Sequence, residues 1–444
     1  MTNLKEIATL TGHTDRAWHV SWSPAAPILA SCSSDKSVRL YSYSPLPSPR
    51  FNLQSTIPTS HQRTVRSLSF SPTGATLSTA SFDSTVGIWQ QSDEAGIDDG
   101  ATGTAADGEW EAVDPLEGHE SECKSVEWSA DGRLLASCSR DKSVWVWEAV
   151  GPAEFECLAV LMEHTQDVKS VTWHPSEELL ASASYDDTIK LFSADPYDDE
   201  WTCLTTLTSH SATVWSISFS PCGNYLASAG DDLVIKIWGR DSLVTPSGAE
   251  LGELGVAKRE EGGRMGPWSS GGVRIGDKER WKWSFKGEIE GAHERTIYAV
   301  DWGRGGLSTE EGGLGRIVSC GGDGKINVFQ LNKPTTAGEM PSHTLLSSVE
   351  SAHGVSDVNH VAWCKLSPAK AADTLRRLEG GEDEEEGADG EEKMDTEQKA
   401  PEEDPRWKGV ENMFASAGDD GAVKVWVVDE EGLKPTAAAD ETKE

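Results

Sequence analysis

A serine or threonine, a histidine and an aspartate recur together in this chain. They are the side chains of a nucleophilic triad, in which a hydroxyl attacks a carbonyl, an imidazole takes its proton and a carboxylate steadies the imidazole. The sets are His13, Ser31 and Asp35; His61, Thr79 and Asp83; His119, Ser137 and Asp141; His164, Ser182 and Asp186; His210, Ser228 and Asp232; His293, Ser319 and Asp323; and His353, Ser416 and Asp420. An acyl-transfer site is needed once, whereas seven copies answer a need that itself occurs seven times. A buried hydrogen-bond network meets that description. The Asp accepts from the His and from backbone N–H groups, and the His links through the hydroxyl to the aromatic six residues after the Asp. That aromatic is Tyr41, Trp89, Trp147, Phe192, Trp238, Phe329 or Trp426. Tyr41, Phe192 and Phe329 are expected to weaken their three sets, and since a phenyl ring cannot donate the last bond, the two sets with Phe are expected to rely on packing. No single set stands out as a displaced triad in a pocket of its own, and an enzyme is not expected.

What positions these side chains is a repeat. In the first five sets the His precedes the Asp by 22 residues, and in the last two the interval is stretched by insertions. Alternating stretches such as Val20-Ser21-Trp22, Leu29-Ala30-Ser31 and Val38-Arg39-Leu40 read as short antiparallel strands, broken by Ser-Pro or Asp-containing turns. With a fourth strand before the next His, each copy becomes a four-stranded sheet with strands a to d, one propeller blade. The pattern resembles the WD-repeat family, although the Asp of its W-D pair is usually replaced here, as in Trp89-Gln90 and Trp147-Glu148. The fold expected is therefore all-β, a single seven-bladed propeller over residues 1–429, with 430–444 a flexible acidic tail. No strand remains after Trp426 for the seventh blade, and Leu4–Leu10 precede the first His without a blade of their own. The N-terminal segment is predicted to complete the last blade and remove its exposed edge.

Composition narrows the partners. Lys and Arg number 39 against 74 Asp and Glu, a net charge of −35, which disfavours nucleic acid and anionic membrane. Part of the excess lies between Glu379 and Asp404, a run expected to be a solvated, disordered loop. The start of the chain has no apolar signal region and no stretch is long enough to span a bilayer, so the expected location is the cytosol and the nucleus. The eight cysteines include no C-x-x-C pair and no zinc-ligand spacing, and Cys32 and Cys138 fall inside strand patterns as buried thiols. No metal and no cofactor is expected.

The insertions single out a working face. In an up-and-down sheet the a–b and c–d loops share one end. Insertions at 92–109 and 241–280 fall in c–d loops, and those at 303–315 and 367–411 in a–b loops, so all four crowd one face. The opposite face keeps short ordered turns and is the expected binding surface. Where strands a emerge there stand Trp18, Arg66, Lys124, Lys169, Trp215, Tyr298 and Asn359; just before the turn Asp stand Ser34, Phe82, Arg140, Tyr185, Asp231, Gly322 and Asp419. Exposed Arg, Trp and Tyr dominate binding hot spots. Arg140, Arg66, Lys124, Lys169, Phe82, Tyr185, Trp18, Trp215 and Tyr298 are the candidate partner-binding residues. The ligand expected is an acidic and aromatic peptide such as a chain terminus, with Arg140 bidentate to a carboxylate.

Longer strings carry a narrower resemblance. Cys138-Ser-Arg-Asp-Lys-Ser-Val-Trp-Val-Trp-Glu148, His164-Thr-Gln-Asp-Val-Lys-Ser-Val-Thr-Trp-His-Pro175 and Ala183-Ser-Tyr-Asp-Asp-Thr-Ile-Lys-Leu-Phe192 resemble the cytosolic iron-sulfur protein assembly WD-repeat family. The resemblance spans all seven blades and leaves the insertions uncovered. It implies a scaffold subunit that links a cluster carrier to recipient apoproteins. The partners it implies are a MIP18-family subunit, a HEAT-repeat scaffold, an iron-only-hydrogenase-like cluster carrier and iron-sulfur apoproteins. It also implies that Arg140 is a functional surface residue and that the propeller itself binds no cluster. The competing class is a WD-repeat substrate receptor or chromatin-associated adaptor, which would use the same face for another peptide.

Overall fold

The computed structural model describes residues 3–46, 48–91, 110–151, 153–195, 200–241, 282–306, 312–334, 339–366, 407 and 409–429. Their strands form seven four-stranded antiparallel sheets, the blades of a propeller. Strands a are Ala17–Trp22, Val65–Phe70, Cys123–Trp128, Val168–Trp173, Val214–Phe219, Ile297–Gly303 and Val358–Trp363. Strands d are Phe51–Pro58, Trp110–Leu116, Phe155–Leu161, Trp201–Leu207, Trp283–Ile289, Ser342–Val349 and, in blade seven, Asn3–Leu10. This last strand pairs antiparallel with strand c, Val423–Asp429, with Asn3 opposite Asp429 and Leu10 opposite Val423. The expected closure by the N-terminal segment is therefore observed.

The core lies between blades. Strands b such as Leu134–Ser139 are buried at every residue, because a neighbouring blade covers each face. Small and β-branched side chains suit that setting, and each fully buried Val, Leu or Ile contributes about 1.5–3 kcal/mol. The apolar clusters each join consecutive blades: Ala30, Cys32, Val38 and Leu40 of blade one meet Val65, Leu68 and Leu77 of blade two, for example. The seventh junction joins Val423 and Val425 of blade seven to Val20 and Leu29 of blade one, which closes the ring. There the Trp22 indole N–H donates to the Ala362 carbonyl at 2.9 Å.

The b–c turns share an unusual backbone. The residue after each turn Asp has positive φ: Lys36, Ser84, Lys142, Asp187, Leu233, Gly324 and Gly421, between 63° and 75°. Only two of the seven are glycine, so five turns hold an L side chain in the left-handed region, a conformation that persists only where the surroundings enforce it.

Two insertions reach into the fold at their ends. In blade six Gly303 ends strand a and Gly313 opens strand b (Gly313–Gly321), so only 304–312 lies outside the strands. In blade seven the last residues of the insertion expected at 367–411 pack onto the fold. Trp407 and Val410 are buried with Leu366 and Met413 against Tyr43, Leu46 and Phe51 of blade one, and Trp407 meets Tyr43 edge-on at 6.0 Å. One turn of 3-10 helix, Val410–Asn412, presents the Asn412 amide oxygen to the buried Arg316 guanidinium at 2.7 Å. The Glu379–Asp404 run, residues 92–109 and 242–280, and the tail 430–444 lie outside the described residues.

Candidate protein-interaction site

All seven His, Ser or Thr and Asp sets are assembled. His Nδ1 lies 2.7–3.0 Å from its Asp carboxylate, and Nε2 lies 2.6–2.9 Å from the hydroxyl. The indoles of Trp89, Trp147, Trp238 and Trp426 donate to that hydroxyl oxygen at 2.8–3.1 Å. This is triad geometry, but every hydroxyl residue is fully buried, so no substrate carbonyl can reach it. The weakening expected for Phe192 and Phe329 is confined to the last link, since the His164 and His293 distances match the others. In blade six the Asn327 amide donates to the Ala292 carbonyl at 2.6 Å beside His293.

Each Asp also explains its turn. Asp35 accepts the Ser37 N–H at 2.9 Å and the Thr14 N–H at 3.0 Å, so one carboxylate ties the b–c turn to the loop entering strand a. Burial alone would raise these carboxyls, but the hydrogen bonds from His, hydroxyl and backbone outweigh it. Asp35, Asp83, Asp141 and Asp186 are held well below the usual range, and Asp323 is lowered to about 2. A depressed folded-state pKa gives stability that is complete above the unfolded value near 4 and drains away as pH falls through the folded value. The melting temperature is therefore expected to fall steeply between about pH 4 and pH 2. A thermal melt unchanged across that window would contradict the role given to these carboxylates.

At the end of the ring that carries these turns, the channel opens into a cavity of about 260 Å³. Trp18, Arg66, Phe82, Lys124, Lys169, Trp215 and Tyr298 line it, with Arg16, Asp357, Asn359 and Asp419. Arg140 and Tyr185 are outside it, on the rim, 58 % exposed at the Arg140 side chain and 48 % at Tyr185. The cations sit on rings: Arg66 over Trp18 at 4.9 Å, Lys124 over Phe82 at 4.1 Å, and Lys169 over Trp215 at 5.0 Å and Tyr185 at 5.2 Å.

Two features of the mouth were not foreseen from the sequence. Glu122 holds Lys124 at 2.6 Å and Arg63 at 2.9 Å, with Arg140 at 3.9 Å, and Asp167 holds Lys169 at 3.2 Å. The basic arc is thus partly neutralised, and Arg66 is its one member with no carboxylate partner among the described residues. Burial draws both Arg66 and Lys124 below their usual range, the latter even with Glu122 beside it. The far side is acidic. Asp231 accepts the Trp215 indole N–H at 2.9 Å, Asp357 accepts the Tyr298 hydroxyl at 3.4 Å, and Asp419 accepts the Asn359 amide at 2.8 Å. The mouth is therefore bipolar, cationic over blades two to four and anionic over five to seven. A carboxylate entering it meets a largely buried guanidinium stacked on the Trp18 indole, a setting that strengthens ion pairing.

Comparison with known proteins agrees with this architecture. The "WD domain, G-beta repeat" family profile matches residues 4–42, 52–90, 110–148, 155–193 and 201–239, leaving the two blades with stretched intervals unmatched. The "Probable cytosolic iron-sulfur protein assembly protein 1" of Mycosarcoma maydis is 47 % identical over 455 residues, covering 96 % of this chain and 94 % of the relative. Proteins of the same name are 45 % identical in Malassezia globosa, covering 85 % of this chain and 93 % of theirs, and 36 % identical in Aspergillus terreus, covering 93 % and 95 %. Identity at this level over nearly the whole length, on a seven-bladed ring, places the chain in the WD-repeat family of cytosolic iron-sulfur protein assembly protein 1.

Proposed function

We propose that this chain is an adaptor in cytosolic iron-sulfur protein assembly, a rigid platform that holds other proteins and performs no chemistry of its own. The relatives' name supports the pathway. The observation that carries the adaptor role is the mouth: a guanidinium, Arg66, with no carboxylate partner among the described residues, set among stacked cations and rings in a chain of charge −35. Such a site favours an acidic, aromatic segment of another protein, with Arg140 on the rim for a second carboxylate. In this reading the propeller links an iron-only-hydrogenase-like cluster carrier to apoproteins of cytosol and nucleus, together with a MIP18-family subunit and a HEAT-repeat scaffold. The alternative adaptor classes, substrate receptor or chromatin factor, would use the same surface for different proteins. Affinity purification of the full chain with identification of its partners separates them. Iron-sulfur apoproteins and a MIP18-like subunit are expected; cullin adaptors or histones in their place would overturn the proposal.

A further inference from the structure

The mouth is not the only surface built to receive another chain. Each blade ends in a strand d whose outer edge offers unpaired backbone N–H and C=O groups, and such edges are usually guarded by charge, proline or polar side chains. Most edges of this ring follow that rule. Asn3–Leu10 carries Lys5 and Glu6, Trp110–Leu116 carries Asp114 and Pro115, Trp201–Leu207 carries three threonines, and Trp283–Ile289 carries Lys286 and Glu288. Phe51–Pro58, Trp283–Ile289 and Ser342–Val349 each expose one large apolar side chain, Leu53, Phe285 and Leu345, among polar ones.

Blade three departs from the rule. Its strand d, Phe155–Leu161, pairs with strand c (Val144–Ala149) on one side, and no strand pairs with its other side among the described residues. From Cys157 to Met162 the sequence is apolar throughout. Leu158 is 39 % exposed, Val160 40 % and Met162 75 %, with Val150 49 % exposed just before the strand. The charges framing this stretch are all negative: Glu154, Glu156 and Glu163 are exposed, and no Lys or Arg occurs between Val150 and Glu163. A second copy of the chain would bring the same carboxylates and a charge of −35 against them, so self-pairing is opposed.

The geometry points to the outer edge of blade three as a docking site for an extended segment of a partner protein, apolar at alternate positions and basic at its flanks. The segment adds a fifth strand to the blade. Main-chain hydrogen bonds supply affinity, Leu158, Val160 and Met162 supply apolar contact, and the three glutamates select the basic flanks. This surface is separate from the mouth and does not depend on what the mouth binds.

The test uses the full chain and a short fluorescein-labelled peptide that alternates valine with threonine between paired lysines. Binding is expected, with slowed amide exchange confined to Phe155–Leu161. Val160→Lys is expected to weaken it at least about tenfold, whereas Leu345→Lys on the outer edge of blade six leaves it within about twofold. Met162→Lys, at a more exposed position, serves if Val160→Lys fails to fold. Absence of peptide binding, equal loss in the blade-three and blade-six variants, or self-association of the chain through this edge would each overturn the proposal.

Discussion

Removal of residues 3–10 is expected to take away most of the stability of the ring. Leu10 is buried in the cluster joining blades seven and one, where Ile7 and Ala8 also pack, and Leu4 packs into the cluster joining blades six and seven. At about 1.5–3 kcal/mol for each large side chain, Leu4, Ile7 and Leu10 together contribute on the order of 5 kcal/mol. A domain's whole net stability is about 5–15 kcal/mol. The backbone ladder from Asn3–Asp429 to Leu10–Val423 is lost as well, and Val423–Asp429 becomes an open edge prone to association. The ion pair of Lys424 with Glu6 at 3.1 Å is partly exposed and adds little. A melting temperature lowered by ten degrees or more, or loss of soluble protein, is expected. If the truncated chain is insoluble, Ile7→Asp measures the same packing by its melt. Either variant melting within a degree or two of the native chain would show that this strand does not hold the ring closed.

The sequence made the ring legible because each blade needs the same buried quartet, and a quartet at fixed spacing leaves a mark. His13, Ser31 and Asp35 meet because a strand, a turn and a strand of constant length separate them. Strand closure was legible for a similar reason, as strands left over at the two ends must pair. A second repeat went unread. The first residue of strand d in blades one to five, Phe51, Trp110, Phe155, Trp201 or Trp283, packs on the last aromatic of strand a in its own blade, with ring centroids 5.7–6.4 Å apart. Loops of variable length precede strand d, so no constant spacing exposed it.

The mouth was legible by position and not by charge. Counting back from the strand-a aromatics found Trp18, Arg66, Lys124, Lys169, Trp215 and Tyr298, because strand geometry fixes where those side chains emerge. Neutralisation depends on neighbours that do not share the register. Glu122 reaches Arg63 of the preceding blade, and Asp357 approaches Arg295 at 3.7 Å across a junction. The packing of Trp407 was hidden for another reason: it follows a long acidic run, and nothing local to Trp407 says that it turns back onto blade one.

In the proposed function the propeller grips a partner at the cationic side of its mouth. Arg140 is the sharpest place to ask, since its side chain is 58 % exposed and its nearest carboxylate is Glu122 at 3.9 Å. A surface change of this kind alters folding stability by no more than about 0.5 kcal/mol. Charge reversal at this rim position replaces a bidentate contact to a carboxylate with like-charge repulsion, which is expected to cost at least about 2 kcal/mol, a factor of roughly 30 in affinity. Arg66→Glu should have an effect at least as large, because it places a carboxylate under Trp18 in place of a guanidinium that has no carboxylate partner among the described residues. The decisive measurement is recovery of iron-sulfur assembly subunits and apoproteins on the native chain, on Arg140→Glu and on Arg66→Glu, each with its thermal melt. Partner recovery lost from variants that melt like the native chain is the expected result. Undiminished recovery on both folded variants would contradict the account.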